Sequence, residues 1–275
     1  MSEDDCPLIN ITTVQASAFK TLIEALKDIL VDCNLEFIPD SDGKKDGSLK
    51  ILAVNNQAGM LVHLRLQSQK FDHYFCAEKQ TIGLNMQLFH KVIKTVNSND
   101  ILTIYRSSND YEKNRVVVKL QNKEKKQINQ YNIQIIDVDS DVLDVSQASF
   151  QAIVVMNSSD FQKICKDLNG IEVRYVDVTL VGSVLKISGK GESVNGSAEY
   201  HENQNVTISR SATEDSNVII TGKYELKNLL QITKCTNLCN QIEIYLKNDY
   251  PLLIKYTIAS LGYMHLCLSP IIAEV

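Results

Sequence analysis

Tryptophan is absent from this sequence. Four prolines and eleven glycines among 275 residues are too few for a collagen-like or low-complexity chain. Long apolar runs are missing as well. The longest lies near Ile258–Leu268 and is interrupted by Ser260, Gly262 and His265, short of the roughly 18 residues that mark a membrane span. No membrane association is expected. The N-terminus, Met1–Asp5, is acidic and does not read as a secretory or mitochondrial leader, so an intracellular home is expected. No CxxC pair occurs among the seven cysteines, Cys6, Cys33, Cys76, Cys165, Cys235, Cys239 and Cys267. Their odd number and wide spread read as reduced thiols filling core positions. Cys235 and Cys239 are four apart and could share a helical face, but no second ligand pair at zinc spacing accompanies them. No metal and no other cofactor is expected.

Catalytic patterns are equally scarce. The histidines, His63, His73, His90, His201 and His265, have neither HExxH nor HxH spacing. Gly189–Gly196, GKGESVNG, lacks the strand-to-helix setting and the Gly-Lys-Ser/Thr ending of a phosphate loop. No GxSxG nucleophile elbow occurs. The chain is therefore read as a non-enzyme.

What is present is an ordinary soluble mixture, 44% apolar and 22% charged, in a chain long enough for one large or two ordinary domains. The net charge of −5 argues against a protein that coats nucleic acid with its whole surface, while leaving room for local basic patches.

Strand patterns dominate. Leu61–Leu66 and Gln241–Lys247 alternate apolar and polar residues. So do Ile101–Arg106, Arg115–Leu120, Asn132–Ile136, Val184–Ser188, Val206–Ser209 and Leu252–Ile258. Turn-forming residues separate them at Ser41–Gly43, Ser107–Asp110, Gly189–Gly196 and Asn248–Pro251, which suggests antiparallel sheets. Four segments have helical spacing instead: Ala16–Val31, Asn85–Val96, Ser158–Leu168 with Ser158 as N-cap, and Lys223–Lys234 with Tyr224 on its apolar face. The first and second helices are about 70 residues apart and the third and fourth about 65, so the chain reads as two copies of one unit. The fold class is α+β. Between the copies, Asp137–Ser149 is acidic with isolated apolar residues Val142, Leu143 and Val145, and reads as an extended surface linker.

Each helix opposes its apolar stripe with lysines at helical register: Lys20 with Lys27, Lys91 with Lys94, Lys163 with Lys166, and Lys227 with Lys234. Singly, such pairs describe a solvated face, and Glu24, Asp28, Asp160, Asp167 and Glu225 share these helices. Four pairs at matched positions of a repeat point to phosphate contact without base readout. Lysine is a mobile point charge, suited to a backbone whose position keeps changing.

Several segments resemble eukaryotic-type sliding clamps of the proliferating-cell-nuclear-antigen family. They are FKTLIEALKDIL (Phe19–Leu30), FDHYFC (Phe71–Cys76), GLNMQLFHKVIK (Gly83–Lys94), SSDFQKICKDL (Ser158–Leu168) and DYPLLIKYTIASLGYMHLCLSPII (Asp249–Ile272). The resemblance covers about Ala16 to Ile272 and rests on the order and spacing of the motifs together. It implies two repeated clamp domains, residues 1–136 and 150–275, joined by a connecting loop at 137–149, with antiparallel sheets outside and four helices lining a ring of three subunits. The DNA-facing residues would be the eight lysines already singled out; Thr21 stands where a second basic residue is common. The resemblance also implies a pocket for short partner peptides at Val54, Leu61, Leu143, Val145, Phe150, Pro251, Leu268, Ser269 and Pro270. The loop Asn55–Gly59 beside it departs from the family pattern, and Val181 falls where many members carry a modifiable lysine. Ring closure would use edge strands at Arg115–Gln121 and Ser197–Val206. Expected partners are duplex DNA of any sequence, further copies of the chain, DNA polymerase and other peptide-bearing replication and repair proteins, and an ATP-driven clamp loader. The expected place is the nucleus, or a viral replication site. Two alternatives are a subunit of a heterotrimeric damage-checkpoint clamp and a monomeric processivity factor with an open face.

Overall fold

The computed structural model describes residues 7–55, 59–108, 114–139, 148–211 and 218–271. In chain order the first half gives β1 (Pro7–Thr13), α1 (Ala16–Leu26), β2 (Asp32–Ile38), β3 (Ser48–Asn55), β4 (Met60–Gln67), β5 (His73–Cys76), β6 (Gln80–Asn85), α2 (Met86–Ile93), β7 (Asp100–Ser107), β8 (Arg115–Asn122) and β9 (Gln127–Gln134). The second half gives β10 (Ala152–Asn157), α3 (Ser158–Gly170), β11 (Tyr175–Val181), β12 (Val184–Lys190), β13 (Asn195–His201), β14 (Thr207–Arg210), β15 (Ile220–Glu225), α4 (Leu226–Ile232), β16 (Gln241–Leu246), β17 (Leu252–Ile258) and β18 (Gly262–Leu268). Each half runs strand, helix, five strands, helix, three strands. The fold is α+β and its sheets are antiparallel.

The chain divides into two compact units. One takes Met1–Ala53, His63–Val142 and Ile258–Met264; the other takes Val54–Val62, Leu143–Thr257 and His265–Val275. In the first, a sheet has the order β5-β1-β7-β8-β9, and β2 pairs with both β3 and β6. Also within this unit, the Gln67 N–H bonds the Leu261 carbonyl at 3.0 Å, where β18 begins beside β4. In the second, β10 lies between β14 and β16, β16 pairs with β17, and a sheet has the order β13-β12-β11-β15. The repeat therefore extends to pairing. β1 pairs with β5 and β7 as β10 pairs with β14 and β16, and β2 pairs with β3 and β6 as β11 pairs with β12 and β15.

Alternation fixes which strand residues are buried. Val62, Leu64 and Leu66 of β4 are inside, as are Ile242, Ile244 and Leu246 of β16. The helices add their apolar stripes. Phe19, Leu22, Ile23 and Leu26 of α1 are buried, and Phe19 meets Phe89 of α2 edge-on at 6.3 Å. In the second unit, Phe161, Ile164, Cys165 and Leu168 of α3 and Leu226, Leu229 and Ile232 of α4 are buried. Among the described residues no helix is long and apolar enough to cross a membrane.

Several boundaries differ from the sequence reading. α1 stops at Leu26, because the next turn tightens: Asp28 and Ile29 bond the carbonyls three residues back, at 3.3 and 3.0 Å. Lys223 and Tyr224 belong to β15, where Tyr224 pairs with Val176 and is buried; the helix starts two residues later. Ser158 is not the N-cap of α3. That position is Asn157, while the Ser158 hydroxyl donates to the Cys239 carbonyl at 2.6 Å. Gly189 and Gly196 face each other across β12 and β13, so the turn is confined to the residues between Lys190 and Asn195. A Cβ on Gly189 would meet the Val173 side chain at 2.4 Å, which explains glycine in a strand there. The expected edge strand Arg115–Gln121 is also corrected. It forms most of β8, which is paired on both sides; the free edge is β9. The second expected edge is β13, which is outermost in its sheet but spans Asn195–His201.

Candidate functional site

In the first unit the four lysines of interest lie on and just beyond α1 and α2. Lys27 is the C-cap of α1 and Lys94 the C-cap of α2, both with right-handed helical dihedrals (φ −61°, ψ −23° and φ −60°, ψ −20°). A cation there sits beside carbonyls that have no partner within the helix. Lys20 Nζ donates to the Val96 carbonyl at 3.0 Å, and Lys27 Nζ meets Asp28 at 3.0 Å. Both lysines are half-buried, so they flank the apolar stripe of α1 rather than oppose it. Lys91 and Lys94 are exposed. Asn85 starts α2 by accepting the Leu88 N–H at 3.0 Å, and Gln87 bonds the Lys27 carbonyl at 3.0 Å, which fixes the two helices side by side. His90 lies among these cations: burial first, and then Lys27, holds its pKa below the usual histidine value.

In the second unit Lys163 and Lys166 are exposed on α3, and Lys163 meets Asp167 at 2.9 Å. That hydrogen bond raises the Lys163 pKa. Lys227 is exposed on the first turn of α4, with Nζ 2.7 Å from Glu225. Lys234 lies on the 3-10 segment Thr233–Leu238, so its seven-residue spacing from Lys227 does not run along one α-helix. Exposed ion pairs of this kind are screened by solvent and contribute little, so a phosphate could displace the carboxylates at small cost. Lys91, Lys94, Lys166 and Lys234 have no such hydrogen bond or ion pair among the described residues. Each unit thus carries four lysines on or just beyond its two helices, two of them held by a short contact to a carbonyl or carboxylate.

The described members of the expected peptide pocket all fall in the second unit. Val54 is exposed at the end of β3, and Leu61 is half-buried at the start of β4. Pro251 precedes β17, and Leu268, 1% exposed, closes β18 before Ser269 and Pro270. Leu143 and Val145 lie outside the described residues. Phe150 is placed by aromatic neighbours the sequence reading did not select. Its ring is 5.2 Å from Tyr245 and 5.7 Å from Tyr250, both steeply inclined, and Lys247 Nζ stands 5.1 Å over the Tyr250 ring. Tyr245 donates to Glu243 at 2.5 Å, and Glu243 also accepts Lys255 at 2.8 Å. The available signal was Tyr245 at an outward position of an alternating strand, with Tyr250 beside a proline.

Comparison with known proteins matches the chain in two adjoining parts. Residues 8–144 match the family model for the N-terminal domain of proliferating cell nuclear antigen, and residues 144–271 match that for its C-terminal domain. The probable DNA polymerase sliding clamp 1 of Paramecium bursaria Chlorella virus 1 is 30% identical over 98% of this chain and all of its own length. The probable DNA polymerase sliding clamp of Acanthamoeba polyphaga mimivirus is 28% identical over 98% of this chain, which spans 63% of that longer protein. The proliferating cell nuclear antigen of Chaetomium thermophilum is 26% identical over 94% of this chain and 96% of its own.

Proposed function

The chain belongs to the proliferating cell nuclear antigen family of sliding clamps, and on that premise we propose that three copies close head to tail into a ring around duplex DNA. As a member of that family it is a scaffold rather than an enzyme. The observation that carries the ring is that β9 and β13, among the outermost strands of the described residues, each leave one edge unpaired. β9 is the last strand of the first half and β13 an outermost strand of the second. Pairing β9 of one copy with β13 of the next would remove two exposed edges. Such a contact is heterologous, and it closes only if its rotation divides the circle; three is the number the family resemblance implies.

The eight lysines are the DNA-facing groups of this reading. Contacts from lysine to phosphate give attraction that depends on salt and not on sequence, which suits a body that must stay on DNA and still move along it. The connecting segment 137–149, between domains at 1–136 and 150–275, would cover a peptide site built on Phe150, Pro251 and Leu268, with Leu143 and Val145 from the segment itself and Val54, Leu61, Ser269 and Pro270 around it. DNA polymerase and other replication and repair proteins would dock there, and an ATP-driven loader would open the ring. Relatives in two viruses and a fungus fit either a nuclear or a viral replication site.

Two unpaired edges on one chain favour a closed ring over a monomeric open-faced factor, and the family match over nearly the whole chain favours three copies of it over a heterotrimeric checkpoint clamp. Sedimentation equilibrium of the purified chain tests this. A mass three times that of the chain is expected; a monomer, or a trimer formed only with other subunits, would overturn it.

A further inference from the structure

The outward face of the sheet in the first unit carries a charge pattern that the ring does not use. β2, β3 and β4 bury Leu35, Phe37, Leu49, Ile51, Val62 and Leu64 and turn Glu36, Lys50, His63 and Arg65 outward. Tyr263 of β18 stands against His63, with ring centroids 6.4 Å apart and planes at 90°. Lys79, just before β6, reaches Glu36 at 3.3 Å, and Glu36 is the cross-strand partner of Lys50. Three fixed cations and an imidazole thus share this face with a single carboxylate in contact. The cations repel one another: burial first, then Arg65, lowers the Lys50 pKa, and burial, then Lys50 and Arg65, lowers that of His63. The Arg65 Nε is buried without a hydrogen-bond partner, although buried donors are nearly always paired. A chain of net charge −5 has placed a positive cluster, only partly offset by Glu36, beside an aromatic pair.

From this juxtaposition we infer that the outward sheet face of the first unit binds single-stranded nucleic acid, with Lys50, Arg65 and Lys79 on the phosphates and a base stacked on the Tyr263 ring, which His63 braces edge-on. The cations alone would suit any polyanion. The aromatic pair decides for a nucleic acid strand, because bases stack on such rings while an acidic peptide has no use for them. This inference does not depend on the ring, and its test is separate.

The test uses the full chain and a short fluorescent oligo(dT), with iodouracil in a second version for photocrosslinking. Binding measured by anisotropy at low salt is expected to weaken by about tenfold or more in a Lys50→Ala/Arg65→Ala double variant, because two phosphates then have no cation to neutralise them. Tyr263→Leu is expected to weaken it several-fold and Tyr263→Phe to leave it nearly unchanged. Crosslinks are expected on the peptides that hold His63 or Tyr263. The double variant should melt at the wild-type temperature and keep its assembly state, which separates this result from failure of the ring. The inference is overturned if the double variant binds oligo(dT) as wild type does, or if crosslinks fall only on α1–α4. It is equally overturned if oligo-glutamate of matched charge competes as well as oligo(dT), which would assign the face to acidic peptides.

Discussion

Removing the Phe89 ring would leave a void between α1 and α2, where it meets Phe19 edge-on and is 1% exposed. Phe89→Ala is expected to cost about 3–5 kcal/mol, read as a lower urea midpoint at unchanged slope. An unchanged midpoint would mean that the helix pair does not depend on this contact. Lys91 and Lys94 are exposed, so replacing both by alanine should move stability by no more than about 0.5 kcal/mol. The same variant should bind duplex DNA less tightly and with a shallower salt slope, by about 0.9 for each phosphate no longer neutralised. Equal slopes for variant and wild type would remove these two lysines from the DNA surface. His63 offers a check on the outer cluster. Burial first, and then Lys50 and Arg65, disfavours its protonated form, so its NMR titration midpoint should rise when both cations are replaced by alanine. Lysines at helical spacing can be picked out of the sequence, although Lys227 and Lys234 do not share one α-helix. The angle of such lysines to the core cannot: the half-buried setting of Lys20 and Lys27 depends on the Val96 carbonyl and the Asp28 carboxylate, neighbours that periodicity does not encode.

Among the elements, the strands that bury one clean face were readable over most of their length and the edge strands β9 and β13 only in part. β8 alternates visibly because Val116, Val118 and Leu120 are buried. β9, QINQYNIQ, has little to bury: Ile133 is inside, while Ile128 is 63% exposed. The edge expected at Arg115–Gln121 rested on the family resemblance and falls one strand short of β9, of which alternation reveals only the end at Asn132–Gln134. α4 was misread at its start as well. Tyr224 and Leu226 fit a helical stripe by spacing, yet Tyr224 is held in β15 by its pairing with Val176. If β9 is a junction, Ile128→Arg should weaken self-association, seen as a concentration-dependent fall in sedimentation mass. β9 contains no charged residue, so wild-type association should vary little with salt. A strong salt dependence would place the junction elsewhere.

For the molecule as a whole, the repeat was the most legible feature, since two helices per half at similar spacing appear in the sequence and the pairings of the two units match strand for strand. The aromatic setting of Phe150 was less so, because Tyr245 and Tyr250 come together only once β10, β16 and the turn before β17 are assembled. The central claim is topological: the protein surrounds DNA rather than adhering to it. Retention on duplex DNA with controlled ends measures this most directly. The chain is allowed to thread onto duplex fixed to a bead at one end, the free end is then capped with a bulky protein, and the beads are washed in high salt that removes ordinary electrostatic binding. Retention while the cap is present, with release when the duplex is cut near it, is the result this account predicts. Loss in the salt wash with the cap in place, or retention after the cut, would contradict it.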